Sequence, residues 1–234
     1  MIGNLDWHAS SIEAVLRTLE TAADGLSGGE AARRLQRFGP NRLPPPVPVS
    51  ALKVLFDQFK SIVVYLLVAA VIVSALLGDW AEAGAVAVVL LINTALGFTM
   101  ELRARRTMDA LLKMNVLRAS VFRDGHLTAV DAAVLVKGDI VELTAGHHVP
   151  ADSRLIRATD FRTDEAALTG ESELIAKTAA VELPADTVLA DRINMIYKGT
   201  TVPSGVVRAV VVATGAETQL GRIGGLVGQI QEDR

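Results

Sequence analysis

Thr169-Gly170-Glu171-Ser172 places one carboxylate on a turn, between a glycine and two hydroxyl side chains. Such a turn exposes Glu171 at the tip of a loop instead of burying it, and a loop carboxylate of that kind can orient a water molecule. A four-residue polar turn is common, so its chemistry depends on what surrounds it.

The other chemically suggestive residues read more plainly. His147 and His148 are adjacent; on a strand they would face opposite ways, and neither has acidic or sulfur partners nearby in sequence, so they read as a polar surface pair and not as metal ligands. There is no cysteine, which removes disulfides, thiolate zinc sites and Cys-x-x-Cys metal capture. Glu82 and Asn93 lie at the start and in the middle of an apolar stretch. Glu82 there is cheap to hydrate at an interface, and Asn93 can join helices by hydrogen bonding. No metal-binding or cofactor-binding residue is assigned.

The elements that must position Glu171 are β-type. Leu117 to Val130 reads as two strands joined at Asp124-Gly125, which supplies the positive φ angles of a tight hairpin turn. VLVKGDIVEL, SRLIRA, NMIYKGTTV and GVVRAVVVA follow, separated by Gly, Pro and Asp, so residues 115–218 form one small β-rich domain. A short amphipathic helix closes the chain within residues 219–234. Upstream, Ser10-x-x-Glu13 and Ser27-x-x-Glu30 have capping-box spacing before amphipathic runs, giving two short helices within residues 1–50. GPNRLPPPVP then stops the second helix and forms a stiff lead.

Between these regions, residues 51–114 hold two uncharged stretches, Ile62 to Leu77 and Ala83 to Met100, each near the length that crosses a bilayer. Gly78 to Glu82 between them suffices only for a hairpin turn. Arg42, Lys53 and Lys60 precede the pair and Arg103, Arg105 and Arg106 follow it, while the turn has no Lys or Arg. Both ends are therefore expected at the cytoplasmic face, with Trp80 at the far interface. The composition agrees: half of the 234 residues are apolar and 21% are charged, richer in apolar residues than a soluble domain needs. The first residues lack the basic start and apolar core of a secretory signal. A net charge of -3, with no concentrated basic footprint, excludes nucleic acid as an expected partner.

TDEAALTGES, Thr163 to Ser172, resembles the actuator-domain signature of P-type ATPases. KGDIVELTAGHHVPADSRLI, Lys137 to Ile156, resembles the Gly-Asp and Pro-Ala-Asp segment of the same family. Gly25 to Pro44 is similar to its cation-ATPase N-terminal segment, and Met195 to Ile223 to its later actuator segment. The pattern departs at Glu173-Leu174, where the family often has Glu-Pro, and at His147, where it often has Asp; Lys177 is kept. The resemblance implies an α+β membrane protein: cytoplasmic N-terminal helices, a two-helix transmembrane hairpin and a β-rich, distorted jelly-roll-like actuator domain.

It also implies that Glu171, with Thr169, Gly170 and Ser172, directs water onto an aspartyl phosphate, and that actuator movement works the ion gates. The Asp-Lys-Thr-Gly phosphorylation motif is absent from these residues. ATP and Mg2+ are accordingly expected to bind outside this chain, which alone is expected to be inactive, as a fragment or a natural truncation. Expected partners are membrane lipid, a transported cation, with calcium first, and the phosphorylation and nucleotide-binding domains of the pump. The excess of Arg over Lys points to a bacterial plasma membrane. The alternative is a membrane-anchored binding or regulatory module without enzymatic activity. Leu26 to Glu30 also resembles the ABC-ATPase signature loop, but no Gly-x-x-x-x-Gly-Lys phosphate cradle accompanies it.

Overall fold

The structure, a computed structural model, describes residues 6–43, 55–56, 59–114, 117–170 and 173–232. It divides into two compact units, residues 1–44 with 116–234, and residues 45–115.

The first unit is built on a sheet of seven strands: β1 (Arg118–Arg123), β2 (His126–Asp131), β3 (Ile140–Thr144), β4 (Asp152–Asp164), β5 (Leu174–Ala176), β6 (Met195–Ile196) and β7 (Thr201–Ala213). The order is β2-β1-β3-β7-β4-β5, with β6 beside β4 and every pairing antiparallel. β1 and β2 meet at Asp124 and Gly125 with φ of 52° and 75°, the two left-handed residues that the sequence predicts for a tight turn. The long strands β4 and β7 pair along most of their length with several register shifts, which add twist to the middle of the sheet.

The run Val206-Val207-Arg208-Ala209-Val210-Val211-Val212 is nearly all apolar because both faces of β7 are covered. Val207, Ala209 and Val211 enter one core with Val121, Val141, Leu143, Leu155 and Phe161. Val210 and Val212 enter the opposite one with Ile140, Met195 and Tyr197, where Val15 and Leu19 complete the packing. Burying those last two side chains contributes about 2 kcal/mol each, and it is what attaches the N-terminal segment to the sheet.

That segment holds α1 (Ile12–Thr18) and α2 (Gly28–Phe38). Ser27 caps α2 by accepting the Glu30 amide at 3.2 Å, and Gly39 ends it with φ 78°. Glu30 does not close the capping box; its carboxylate pairs with Arg33 and Arg34. For α1 the cap is Ser11, which accepts from Ala14, one residue later than the Ser10 spacing suggests. Ser10 is turned back to donate to the Asp6 carbonyl. Two buried arginines dock the segment. Arg34 donates to the carbonyls of Leu19, Glu20 and Lys137, and Arg154 to those of Trp7, Ser10, Val181 and Asn194.

Asn41 ends the segment. Its side-chain amide donates to the Ala132 and Pro150 carbonyls at 2.9 Å, and its Oδ1 accepts from the Gly215 amide and Lys198 Nζ. Lys198 in turn has its backbone amide on Asp152, whose second oxygen accepts the first amide of the C-terminal helix, at Gln219.

The second unit contains α3 (Ile62–Leu76) and α4 (Trp80–Met114). Asp79 caps α4 by accepting the Glu82 amide. α4 is the one described helix long and apolar enough to cross a membrane, over Trp80–Ala104; that stretch measures about 37 Å against a hydrocarbon core of about 30 Å. α3 is apolar throughout but shorter, about 22 Å. Ile62, Leu66, Leu76, Trp80, Leu91 and Met100 are all exposed, a surface suited to lipid and costly in water.

Candidate functional site

The loop of interest leaves the end of β4 and returns along β5. β5 pairs antiparallel with the last turn of the strand it left, Arg162 opposite Ala176 and Asp164 opposite Leu174. Asp164 accepts the Ala166 amide at 3.0 Å through Oδ1, which starts the single helical turn α5 (Ala166–Thr169). Thr169 closes this turn by donating its hydroxyl to the Glu165 carbonyl at 3.2 Å. Gly170 ends it in the left-handed region, φ 79° and ψ -2°, with its amide on the Ala166 carbonyl. A residue with a Cβ would be strained there. Among the described residues, apart from its chain neighbours and its own helical turn, no atom lies within 4 Å of where that Cβ would sit. Thr169 and Gly170 thus form the end of a hydrogen-bonded turn, and Glu171 and Ser172 lie outside the described residues.

Behind the loop, the side chain of Glu165 is fully buried. Its Oε1 accepts from Thr163 Oγ1 at 3.0 Å and lies 2.6 Å from Lys177 Nζ. Lys177 also reaches the Arg192 carbonyl at 3.4 Å and lies 5.8 Å from the centre of the Tyr197 ring. Burial holds the Lys177 ammonium below the usual lysine range, and the charge of Glu165 opposes that shift. Burial likewise pushes the Tyr197 phenol up. Removing one partner of such a pair strands a buried charge, at about 3–5 kcal/mol. The sequence offers Lys177 only as a retained family residue, and Thr163 and Glu165 only as members of the TDEAALTGES signature with no role of their own. The signal available was a second carboxylate, next to Asp164, directly before the apolar Ala166-Ala167-Leu168.

The carboxylates of the upstream Gly-Asp and Pro-Ala-Asp segment are structural. Asp139 takes a two-point contact from Arg123, at 3.0 and 2.7 Å, and the Val136 amide. Asp152 is held by the two amides already described. His147 and His148 do not lie on a regular strand: His147 follows the turn after β3 and accepts the Thr144 amide, while His148 makes an isolated bridge to Thr201. Among the described residues no three His, Cys, Asp or Glu side chains gather to hold a metal ion.

Two family models match the chain: the P-type ATPase actuator domain over residues 113–228, and the N-terminal region of cation transporter ATPases over residues 7–74. It is 43% identical to the probable cation-transporting ATPase F of Mycobacterium tuberculosis, over 92% of this chain and 24% of that protein. It is 34% identical to calcium-transporting ATPase 1 of Bacillus cereus, over 97% of this chain and 26% of that protein. The sodium/potassium exporting P-type ATPase cta3 of Schizosaccharomyces pombe is 38% identical over 88% of this chain and 20% of that protein. The chain therefore spans about a quarter of the length of these relatives.

Proposed function

Because the chain belongs to the P-type cation-transporting ATPases and carries their N-terminal and actuator regions, we propose that its Thr169–Ser172 loop directs water onto an aspartyl phosphate held elsewhere in the pump. Glu171 takes a proton as the water oxygen bonds to phosphorus and the bond to the aspartyl oxygen breaks, releasing phosphate and restoring the carboxylate. The observation that carries this reading is Gly170. It ends a hydrogen-bonded turn in the left-handed region, and no described side chain covers its Cβ side, which supports an exposed turn at this point.

In this reading ATP and Mg2+ act outside these residues, and the chain alone forms no phosphoenzyme. α3 and α4 enter and leave the bilayer as a hairpin with both outer ends cytoplasmic, as the flanking Arg and Lys residues favour. Movement of the actuator then pulls on the membrane helices and couples phosphate release to the ion gates. The transported cation is calcium, a choice supported by the likeness to calcium-transporting ATPase 1 of Bacillus cereus.

The test is Glu171→Gln in an intact pump containing these residues. The amide keeps size and hydrogen bonding but cannot take the proton, so phosphoenzyme decay slows by about 10²-fold or more while its formation from ATP stays near normal. Unchanged decay with lost formation would overturn the assignment.

A further inference from the structure

Residues 166–176 leave and re-enter the sheet between two buried, oppositely charged side chains. Glu165 is the last residue before the helical turn and Lys177 the first after β5, and their charged atoms meet at 2.6 Å with both side chains shut off from solvent. The backbone repeats the closure: the Lys177 amide donates to the Phe161 carbonyl at 3.0 Å. An apolar pair of similar volume would close the same loop without the cost of desolvating two charges, and such replacements are often neutral or stabilising. Stability therefore does not account for the choice of Glu and Lys.

What the charged pair adds is direction. Oε1 of Glu165 must meet both Thr163 Oγ1 and Lys177 Nζ, and the same ammonium must reach the Arg192 carbonyl. These contacts fix the end of β4, the start of α5, the end of β5 and the turn at Arg192 relative to one another, where apolar contacts would tolerate sliding. We infer that Glu165 and Lys177 are positioning residues, which hold the two ends of the loop in the single register that aims the Thr169–Gly170 turn at the phosphorylated site. This rests on the proposed role of Glu171 in the same loop.

The informative change is the neutral pair Glu165→Gln with Lys177→Met, which strands no charge. In the intact pump this double variant should keep the thermal midpoint of wild type and form phosphoenzyme within about twofold of its rate, yet lose phosphoenzyme at least about tenfold more slowly. In the background of Glu171→Gln the same pair of changes should slow decay by less than about twofold further, because the group being positioned is already disabled. In the 234-residue chain, hydrogen exchange at the Gly170 and Lys177 amides should speed up by about tenfold while Val141 and Val210 keep their protection. Decay and exchange both equal to wild type in the double variant, with Glu171→Gln still slow, would overturn the positioning role. Altered exchange alongside a Glu171→Gln variant with normal decay would instead place the failure in the assigned role of Glu171.

Discussion

Asp152 accepts the backbone amide of Gln219 at 2.7 Å, so a buried carboxylate on β4 receives the first turn of α6 (Gln219–Glu232). Its other oxygen accepts the Lys198 amide at 2.8 Å. Burial outweighs these contacts and raises the carboxyl from 3.8 to about 6. A group whose folded value lies above its unfolded one favours the fold below the unfolded value, and that contribution is lost as the pH rises through the folded one. The Asp152 contribution is therefore complete below about pH 4 and gone above about pH 7. Relative to Asp152→Asn, which does not titrate, wild type should lose about 3 kcal/mol between those limits. Equilibrium unfolding of both proteins at the two pH values measures it. A difference that stays constant, or changes in the other direction, would contradict the raised value.

Asn41 uses every polar atom of its side chain on partners brought from four separate places in the chain. Asn41→Ala should destabilise the sheet unit by about 3 kcal/mol or more, since several buried groups are left unpaired together. Asn41→Asp keeps the two accepted bonds but turns an oxygen toward the Ala132 and Pro150 carbonyls, so it should rescue little. Denaturant midpoints followed through near-ultraviolet circular dichroism give both values; a change under about 1 kcal/mol for alanine would show the bonds to be replaceable by water.

Gly25 has φ of 92°, and a Cβ there would overlap the carbonyl oxygen of Phe122 on β1. Gly25→Ala should therefore push Leu26 from its bridge to Arg123 and loosen α2 from the hairpin turn at Asp124. We expect a loss of about 2–4 kcal/mol, with protease cleavage of the 20–27 stretch well before cleavage within β4 or β7. Unchanged cleavage would mean that the two backbones separate at little cost.

For the membrane unit, a cysteine introduced at Asp79 should react with an impermeant maleimide added outside intact cells, while one at Ser120 should react only after lysis. Labelling of the Ser120 position in intact cells would reverse the proposed topology.

What the sequence makes legible here is local. Ser27 caps α2 and Asp124-Gly125 turns the β1–β2 hairpin because each device is completed within four residues. The apolar run at 206–212 announces a strand covered on both faces, but not that β7 inserts between β3 and β4, since loop closure between distant strands leaves no mark on either one. The same holds at the site. Thr169 and Gly170 are readable as a turn, whereas the Glu165–Lys177 pair depends on β5 folding back onto β4. Asn41 looks like an ordinary residue of a Pro-rich lead until the carbonyls of Ala132 and Pro150 arrive from about a hundred positions away.

Arg34, Arg154 and Asn194 all grip main-chain carbonyls of the segment between Trp7 and Glu20. A carbonyl is the one group that every amino acid brings, so these bonds do not themselves restrict the identity of the gripped residues, provided that their path is kept. The polar part of the docking is then written in three side chains outside positions 7 to 20, while Val15 and Leu19 supply the apolar part. Under random substitution, most positions from 7 to 20 should drift freely apart from the buried His8, Val15 and Leu19, while those three side chains tolerate almost nothing.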